Sequence, residues 1–414
     1  MNDLNAVRED RNTAYSWLRL AVALLLSTIG GVGMWSVVVA LPSVQTEFGV
    51  ARGDASLPYT LTMIGFGLAS IVMGRLTDRH GIFLPIMIGA IALALGFIAA
   101  GLAASVGQFA LAQGLLIGAG SSVTFAPLLA DTSLWFTRKR GLAVAIIASG
   151  NYFAGAIWPP ILAQFMQTAG WRSTYFGVGL FCFATMLPLA LMLRRRPPAA
   201  AIASGEILRA SAQRRPLGLS PAVLQGVLVI AGLSCCVAMS MPQVHIIAYC
   251  GDLGYGPARG AQMLSLMLSS GIVSRLAFGW ISDRIGGLRT LLLGSSLQAL
   301  GLLLFVPFDG LVSLYLISAL FGLFQGGIVP SYAIIVREFF PANQAGGRVS
   351  TIITATLFGM ALGGWMSGAI FDWLGSYRAA FINGLAWNFL NLAIAVWLLR
   401  RYRSARLNFG NRAL

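Results

Sequence analysis

LSLMLSSGIVSRLAFGWISDRIGGLR, residues Leu264 to Arg289, decides how the chain is read. It opens as a long apolar run of the kind that crosses a bilayer. Inside that run stands Arg275, eight residues before Asp283. At about 1.5 Å of rise per helical residue, Arg275 lies roughly 12 Å inside the boundary that Asp283 marks. The hydrocarbon half-thickness is about 15 Å, so the guanidinium falls near the midplane. A charge there costs at least ~2.5–3.5 kcal/mol on the insertion scale. Its helix-face neighbours, Gly271, Ile272, Phe278 and Gly279, carry nothing that neutralises it. The sequence therefore asks for a counter-ion from elsewhere, and a travelling anionic substrate is the expected one.

Composition agrees with a membrane setting. Of 414 residues, 57% are hydrophobic and only 10% charged, and the mean hydropathy is +0.79. A soluble chain carries about a quarter charged residues. Windows of about 20 apolar residues give twelve spans, near 17–42, 57–77, 84–104, 107–135, 141–168, 173–193, 222–250, 260–281, 288–306, 311–337, 346–372 and 378–399. The first sixteen residues are polar and the first apolar run is too long for a cleavable signal, so a retained signal-anchor is expected.

The formal charge of +15 is explained by placement and needs no nucleic acid. With both termini cytoplasmic, 23 of the 28 basic residues fall inside, and Arg52, Arg172, Arg259 and Arg378 fall in outside loops. Arg275 is then the one basic residue left within a span. That asymmetry follows the positive-inside rule. The expected location is a multi-pass position in a bacterial inner membrane. The four cysteines, Cys182, Cys235, Cys236 and Cys250, show neither metal-ligand spacing nor a disulfide framework, so neither metal nor cofactor is expected.

The long break in hydrophobicity, RRRPPAAAIASGEILRASAQRRPLGLS from Arg194 to Ser220, divides the spans six and six. It reads as a cytoplasmic linker. The expected organisation is a cytoplasmic N-terminus (1–16), a six-helix bundle (17–193), the linker (194–221), a second six-helix bundle (222–400) and a cytoplasmic C-terminus (401–414). An internal repeat supports this. Gly74-Arg75-Leu76-Thr77-Asp78-Arg79-His80-Gly81 and Gly279-Trp280-Ile281-Ser282-Asp283-Arg284-Ile285-Gly286 are both GxxxDRxG, offset by 205 residues. Gly74 and Gly279 are expected to allow close helix approach. Asp78 and Asp283 are expected to cap a helix or pair with arginines, while Arg79 and Arg284 face anionic headgroups.

Twelve spans, a central basic linker and a GxxxDRxG loop in each half resemble the major facilitator superfamily, over about residues 17 to 400. The resemblance implies an all-α membrane fold, two pseudo-symmetric six-helix bundles that move about a midplane site. A narrower signature runs from Trp135-Phe136-Thr137-Arg138-Lys139-Arg140-Gly141-Leu142-Ala143-Val144-Ala145 to Ser149-Gly150. It resembles the fifth-span motif of the monocarboxylate transporters and their oxalate–formate relatives, with Ile147 in place of a small residue. Arg138 and Arg140 belong to its basic cluster.

In that family an eighth-span arginine binds the substrate carboxylate, and Arg275 stands at that place, four residues before Gly279. The chemistry stands without the resemblance. A planar guanidinium offers paired donors that match a carboxylate. Each charge-assisted bond contributes about 1.5–3 kcal/mol, and two give affinity near millimolar, about −4 kcal/mol. The alternative is that Arg275 holds helix carbonyls or snorkels to the interface. His245 lies in MSMPQVH, three residues after Pro242, at an axial offset of about 8 Å from Arg275. Bacterial members of the family carry a similar seventh-span histidine. It is expected either to meet the substrate or a proton, or to be satisfied inside the bundle. Asn151, Gln325, Tyr332 and Asn388 are further polar groups expected to line the same cavity, though ordinary packing accounts for each of them as well.

The chain departs from the family in three places. Gly271 stands where several carriers have an acid, Ile29-Gly30-Gly31 replaces an opening Asp, and the single Lys139 leaves no eleventh-span lysine. One fixed positive charge favours a monoanion over a dianion. The sequence thus points to a carrier of small organic anions, most of all monocarboxylates of the lactate and pyruvate kind, working by alternating access as a monomer. Proton symport, exchange and facilitated diffusion stay open. The alternative is an efflux pump for a drug or metabolite, although cationic drugs call for mid-span acids that are absent. No HExxH, nucleophile elbow or CxxC supports an enzyme.

Overall fold

The computed structural model describes residues 14–136, 140–195, 217–340 and 342–410. Among them twelve helices are long and apolar enough to cross a membrane. They span Ala14–Phe48, Arg52–His80, Phe83–Gly101, Val106–Leu134, Leu142–Ala169 and Trp171–Met192, then Pro221–Asp252, Pro257–Ile285, Gly287–Leu304, Leu311–Phe339, Gly347–Leu374 and Tyr377–Ser404. We refer to them as the first to the twelfth span. Most of the linker lies outside the described residues.

The chain forms two compact units. Unit 1 comprises Met1–Ser204 with Ile247–Leu268, and unit 2 comprises Gly205–Ile246 with Ser269–Leu414. The tips of the seventh and eighth spans therefore belong to unit 1. Arg52, which opens the second span, donates through both terminal guanidinium nitrogens to the Asp252 carboxylate, one bond measuring 3.1 Å, and through Nε to Gln45 Oε1 at 2.9 Å. Ser265 donates to the Ala156 carbonyl of the fifth span. These bonds fasten the tip to the rest of unit 1.

In unit 1 small residues bring backbones together, because lipid supplies no hydrophobic force between helices. Gly65 of the second span lies so close to the Gly114 carbonyl of the fourth that no Cβ fits. The fourth span has a π-helical stretch, Gln113–Gly118, at that contact. Gln113 is fully buried, donates to Tyr175 Oη at 2.8 Å and accepts from Thr62 Oγ1 at 3.4 Å. Tyr175 in turn packs edge-on against Phe97 at 5.2 Å. Unit 2 encloses a core that includes Leu224, Leu228, Leu291, Ile335 and Leu398. The side chains left outward, such as Leu68, Leu115, Leu180 and Val312, are those a bilayer solvates.

The repeat has a common backbone cause. Each motif's last glycine ends its helix at positive φ: Gly81 at φ 81°, ψ 170° and Gly286 at φ 81°, ψ 164°. Such a conformation strains any residue with a Cβ. The first glycines of the motif behave differently from the sequence expectation. A Cβ at Gly74 or Gly279 would meet no atom within 4 Å among the described residues, so neither serves close helix approach there.

Candidate functional site

Arg275 is the nineteenth residue of the helix Pro257–Ile285, about 15 Å of rise from its Ile285 end. Its side chain is half-buried. The preceding residue, Ser274, is buried, and its Oγ has no hydrogen-bond partner among the described residues. Across from them the tenth span is interrupted, with Leu311–Gln325 and Ile328–Phe339 separated by Gly326-Gly327. The glycine pair is what lets this break sit against the eighth helix. A Cβ at Gly326 would lie 2.7 Å from the Gly271 carbonyl oxygen and 2.8 Å from Ser274 Oγ, and one at Gly327 would enter the Phe278 ring. Non-helical backbone at membrane depth is tolerated only where protein or a water-filled cavity surrounds it.

Gln325, the last residue before the break, is completely buried. Gln243 of the seventh span donates through Nε2 to Gln325 Oε1 at 3.0 Å. The Gln325 Nε2 group has no acceptor among the described residues. The eighth helix thus packs its Ser274 side chain against the tenth-span break, next in sequence to Gln325.

His245 is buried, with Nε2 2.8 Å from the Gly364 carbonyl and Nδ1 3.0 Å from Tyr377 Oη. A carbonyl only accepts, so Nε2 carries a proton; in the neutral imidazole Nδ1 then accepts from the tyrosine. Both nitrogens are committed to the eleventh and twelfth spans, which is the bundle-satisfied arrangement. Tyr332 and Asn388 belong to a separate buried network: Tyr332 Oη donates to Asn391 Oδ1 at 3.0 Å, Asn391 Nδ2 to Ser295 Oγ at 2.7 Å, and Asn388 Nδ2 to the Ser295 carbonyl at 2.9 Å. Ser295 and Asn391 are members that the sequence alone gave no reason to single out. Asn151 lies in unit 1, half-buried, with Oδ1 lacking a partner among the described residues and its carbonyl accepting from Trp35 Nε1 at 3.3 Å.

Asp78, Arg79, Asp283 and Arg284 are exposed, and neither aspartate forms an ion pair among the described residues. Arg284 lies over the Trp280 ring at 3.5 Å. Arg138 lies outside the described residues; Arg140 begins the helix Arg140–Ala148, and its side chain is outside them.

One expectation needs correction: Arg275 does not stand alone as a basic residue within a span. Arg19 of the first span is 3% exposed, donates through Nε at 3.2 Å and Nη2 at 2.8 Å to Asp131 Oδ2, and through Nη1 to the Leu193 carbonyl at 3.1 Å. Arg19 lies buried on the helix Ala14–Gly30, where a fourth-span carboxylate neutralises it.

The Major Facilitator Superfamily family model matches residues 23–318 and 272–414. Monocarboxylate transporter 11 of Mus musculus is 28% identical over 89% of this chain and 84% of its own. Monocarboxylate transporter 13 of Rattus norvegicus is 27% identical over 79% of this chain and 75% of its own. The crystal structure of a bacterial homologue of the human lysosomal transporter Spinster, in an inward-facing and occupied conformation, superposes with a TM-score of 0.72 at 14% identity, covering 95% of this chain and 98% of that one. This last likeness concerns the fold alone.

Proposed function

We propose that this chain, which belongs to the Major Facilitator Superfamily, carries small organic anions, foremost monocarboxylates of lactate and pyruvate size. That it is a membrane transporter rather than an enzyme follows from the family. The substrate class rests on one observation: Arg275 sits deep in its helix, next in sequence to Ser274, whose side chain packs against the tenth-span break. A carboxylate takes two parallel N–H bonds from a guanidinium. The monocarboxylate transporters among its relatives support the same reading. We place both termini in the cytoplasm of a bacterial cell, on the placement of the basic residues.

The cycle is alternating access, with weak binding that permits release. His245 holds the seventh span to Gly364 and Tyr377, and so fixes the helix that presents Gln243. Proteoliposomes test the reading. Labelled lactate or pyruvate accumulates or exchanges through the purified protein, and Arg275→Ala lowers uptake roughly a hundredfold, equivalent to about 3 kcal/mol for two lost charge-assisted bonds. Normal uptake by that variant overturns the carboxylate site. Imposing a pH gradient reads the coupling: acid-outside acceleration of net uptake identifies a proton symporter. Failure to move any short acid, with export of an apolar metabolite instead, favours an efflux pump.

A further inference from the structure

The two halves repeat a second time, at the helix ends away from the GxxxDRxG loops. Glu47-Phe48-Gly49 and Asp252-Leu253-Gly254 are offset by 205 residues, and each glycine lies just past a helix end at positive φ, 60° and 79°. Gly170-Trp171-Arg172 is matched by Gly375-Ser376-Tyr377-Arg378, again with positive φ at both glycines, 80° and 64°. In the first half the acid and the arginine of this repeat meet. Glu47 accepts from Arg172 Nε at 2.9 Å, from Arg172 Nη2 at 2.7 Å and from Trp171 Nε1. Among the described residues their counterparts are divided: Asp252 is held by Arg52, and Arg378 donates to Asp309 at 3.2 Å. Both partners in that last pair are more than half exposed, so water screens it and little is lost when it opens.

The seventh span already faces the residue beside Arg378. His245 stands seven residues before Asp252, about two helical turns, and so on the same face. Its Nδ1 is 3.0 Å from Tyr377 Oη, and Tyr377 is next in sequence to Arg378. We propose that Asp252 is a two-position switch: it leaves Arg52 and pairs with Arg378 in a second conformation, repeating in the second half the bond that Glu47 makes with Arg172 in the first. Residues Ile247–Leu268 travel with it as one tip, since the Cys250 thiol donates to Met263 Sδ at 3.3 Å and ties the seventh span to the eighth. Either position offers Asp252 a guanidinium with several donors, so the transfer exchanges like for like and a modest bias moves the population. Glu47 stays where it is, because Arg172 is also anchored through Nη1 to the Gly101 carbonyl at 2.7 Å. The exchange therefore belongs to one half of the repeat and does not depend on which solute is carried.

The test reads distance rather than transport. Ala51→Cys and Gln262→Cys, both at exposed positions, carry nitroxide labels for pulsed distance measurement on the full chain in nanodiscs. The four natural cysteines are buried, so the label goes to the introduced pair. With all charges intact the labels report a short distance. Arg52→Gln raises the ratio of a longer, narrow distance to the short one at least ~5-fold. Asp309→Asn frees Arg378 with Arg52 untouched and raises the same ratio about twofold, as befits a weak exposed pair. Adding Arg378→Ala to Arg52→Gln lowers the share of the longer distance at least ~5-fold, because nothing then receives the carboxylate. Reversing the charges in the Arg52→Gln protein, Asp252→Arg with Arg378→Asp, restores it. A short distance that persists in folded Arg52→Gln overturns the inference, and so does a longer distance that is indifferent to Arg378. No solute enters the measurement, so its result is independent of the carboxylate assignment.

Discussion

Arg19 and Asp131 bury a full positive and a full negative charge, their side chains 2% and 5% exposed. Attraction in such a setting offsets the desolvation only when both partners stay. Asp131→Ala leaves the guanidinium with the Leu193 carbonyl and the Trp135 ring, whose centroid lies 4.5 Å away. The expected cost is about 3–5 kcal/mol, read as a lower thermal midpoint in detergent. Replacing both residues by apolar ones of similar size, Arg19→Met with Asp131→Leu, restores most of that stability. Neither partner announces itself in the sequence. Arg19 falls at the edge of the first expected span, 17–42, where a basic residue reads as a cytoplasmic flank, and Asp131 near the end of the fourth, 107–135; a separation of 112 residues leaves no local trace of the pair. Arg275 is the opposite case, since its depth follows from counting along one helix. The partners of His245 could not be read in advance, because one of them is a backbone carbonyl.

Between elements, glycines separate those that matter for packing from those that matter for the turn. Gly326→Ala pushes a methyl toward the Gly271 carbonyl, and overpacking of this kind costs about 1–3 kcal/mol. Gly74→Ala and Gly279→Ala meet nothing and stay within about 0.5 kcal/mol in the same thermal measurement. Gly286→Ala forces a Cβ into positive φ and costs about 1 kcal/mol or more. A glycine-by-glycine unfolding series would reverse this account if Gly74 and Gly326 responded alike. The break at Gly326-Gly327 is hinted at by the paired glycines within an apolar run, whereas the π-helical stretch Gln113–Gly118 has no comparable signal. The Arg52–Asp252 pair joins residues 200 apart and is partly exposed. A double-mutant cycle on it gives a coupling of about 1 kcal/mol that shrinks as salt rises from 0.05 to 0.5 M, on the order expected for a screened pair.

At the scale of the whole chain, the twelve spans and the two-fold repeat were legible because hydropathy and the GxxxDRxG loops recur with the same offset. The matching positive φ of Gly81 and Gly286 gives that repeat its physical meaning. The halves differ where chemistry is concerned. Ser70 occupies the position 205 residues before Arg275, and its hydroxyl simply donates to the Phe66 carbonyl of its own helix. The duplicated scaffold thus carries an arginine at this register in the second half only.

The Arg19–Asp131 pair also imposes an order on biogenesis. When the ribosome delivers the first span, its arginine has no acidic counterpart, which arrives only 112 residues later. At about 5–20 residues per second, that wait lasts roughly 6–22 s. Until then water or lipid headgroups have to meet the guanidinium, and the earliest segment made finds its counter-charge only when the fourth span follows it.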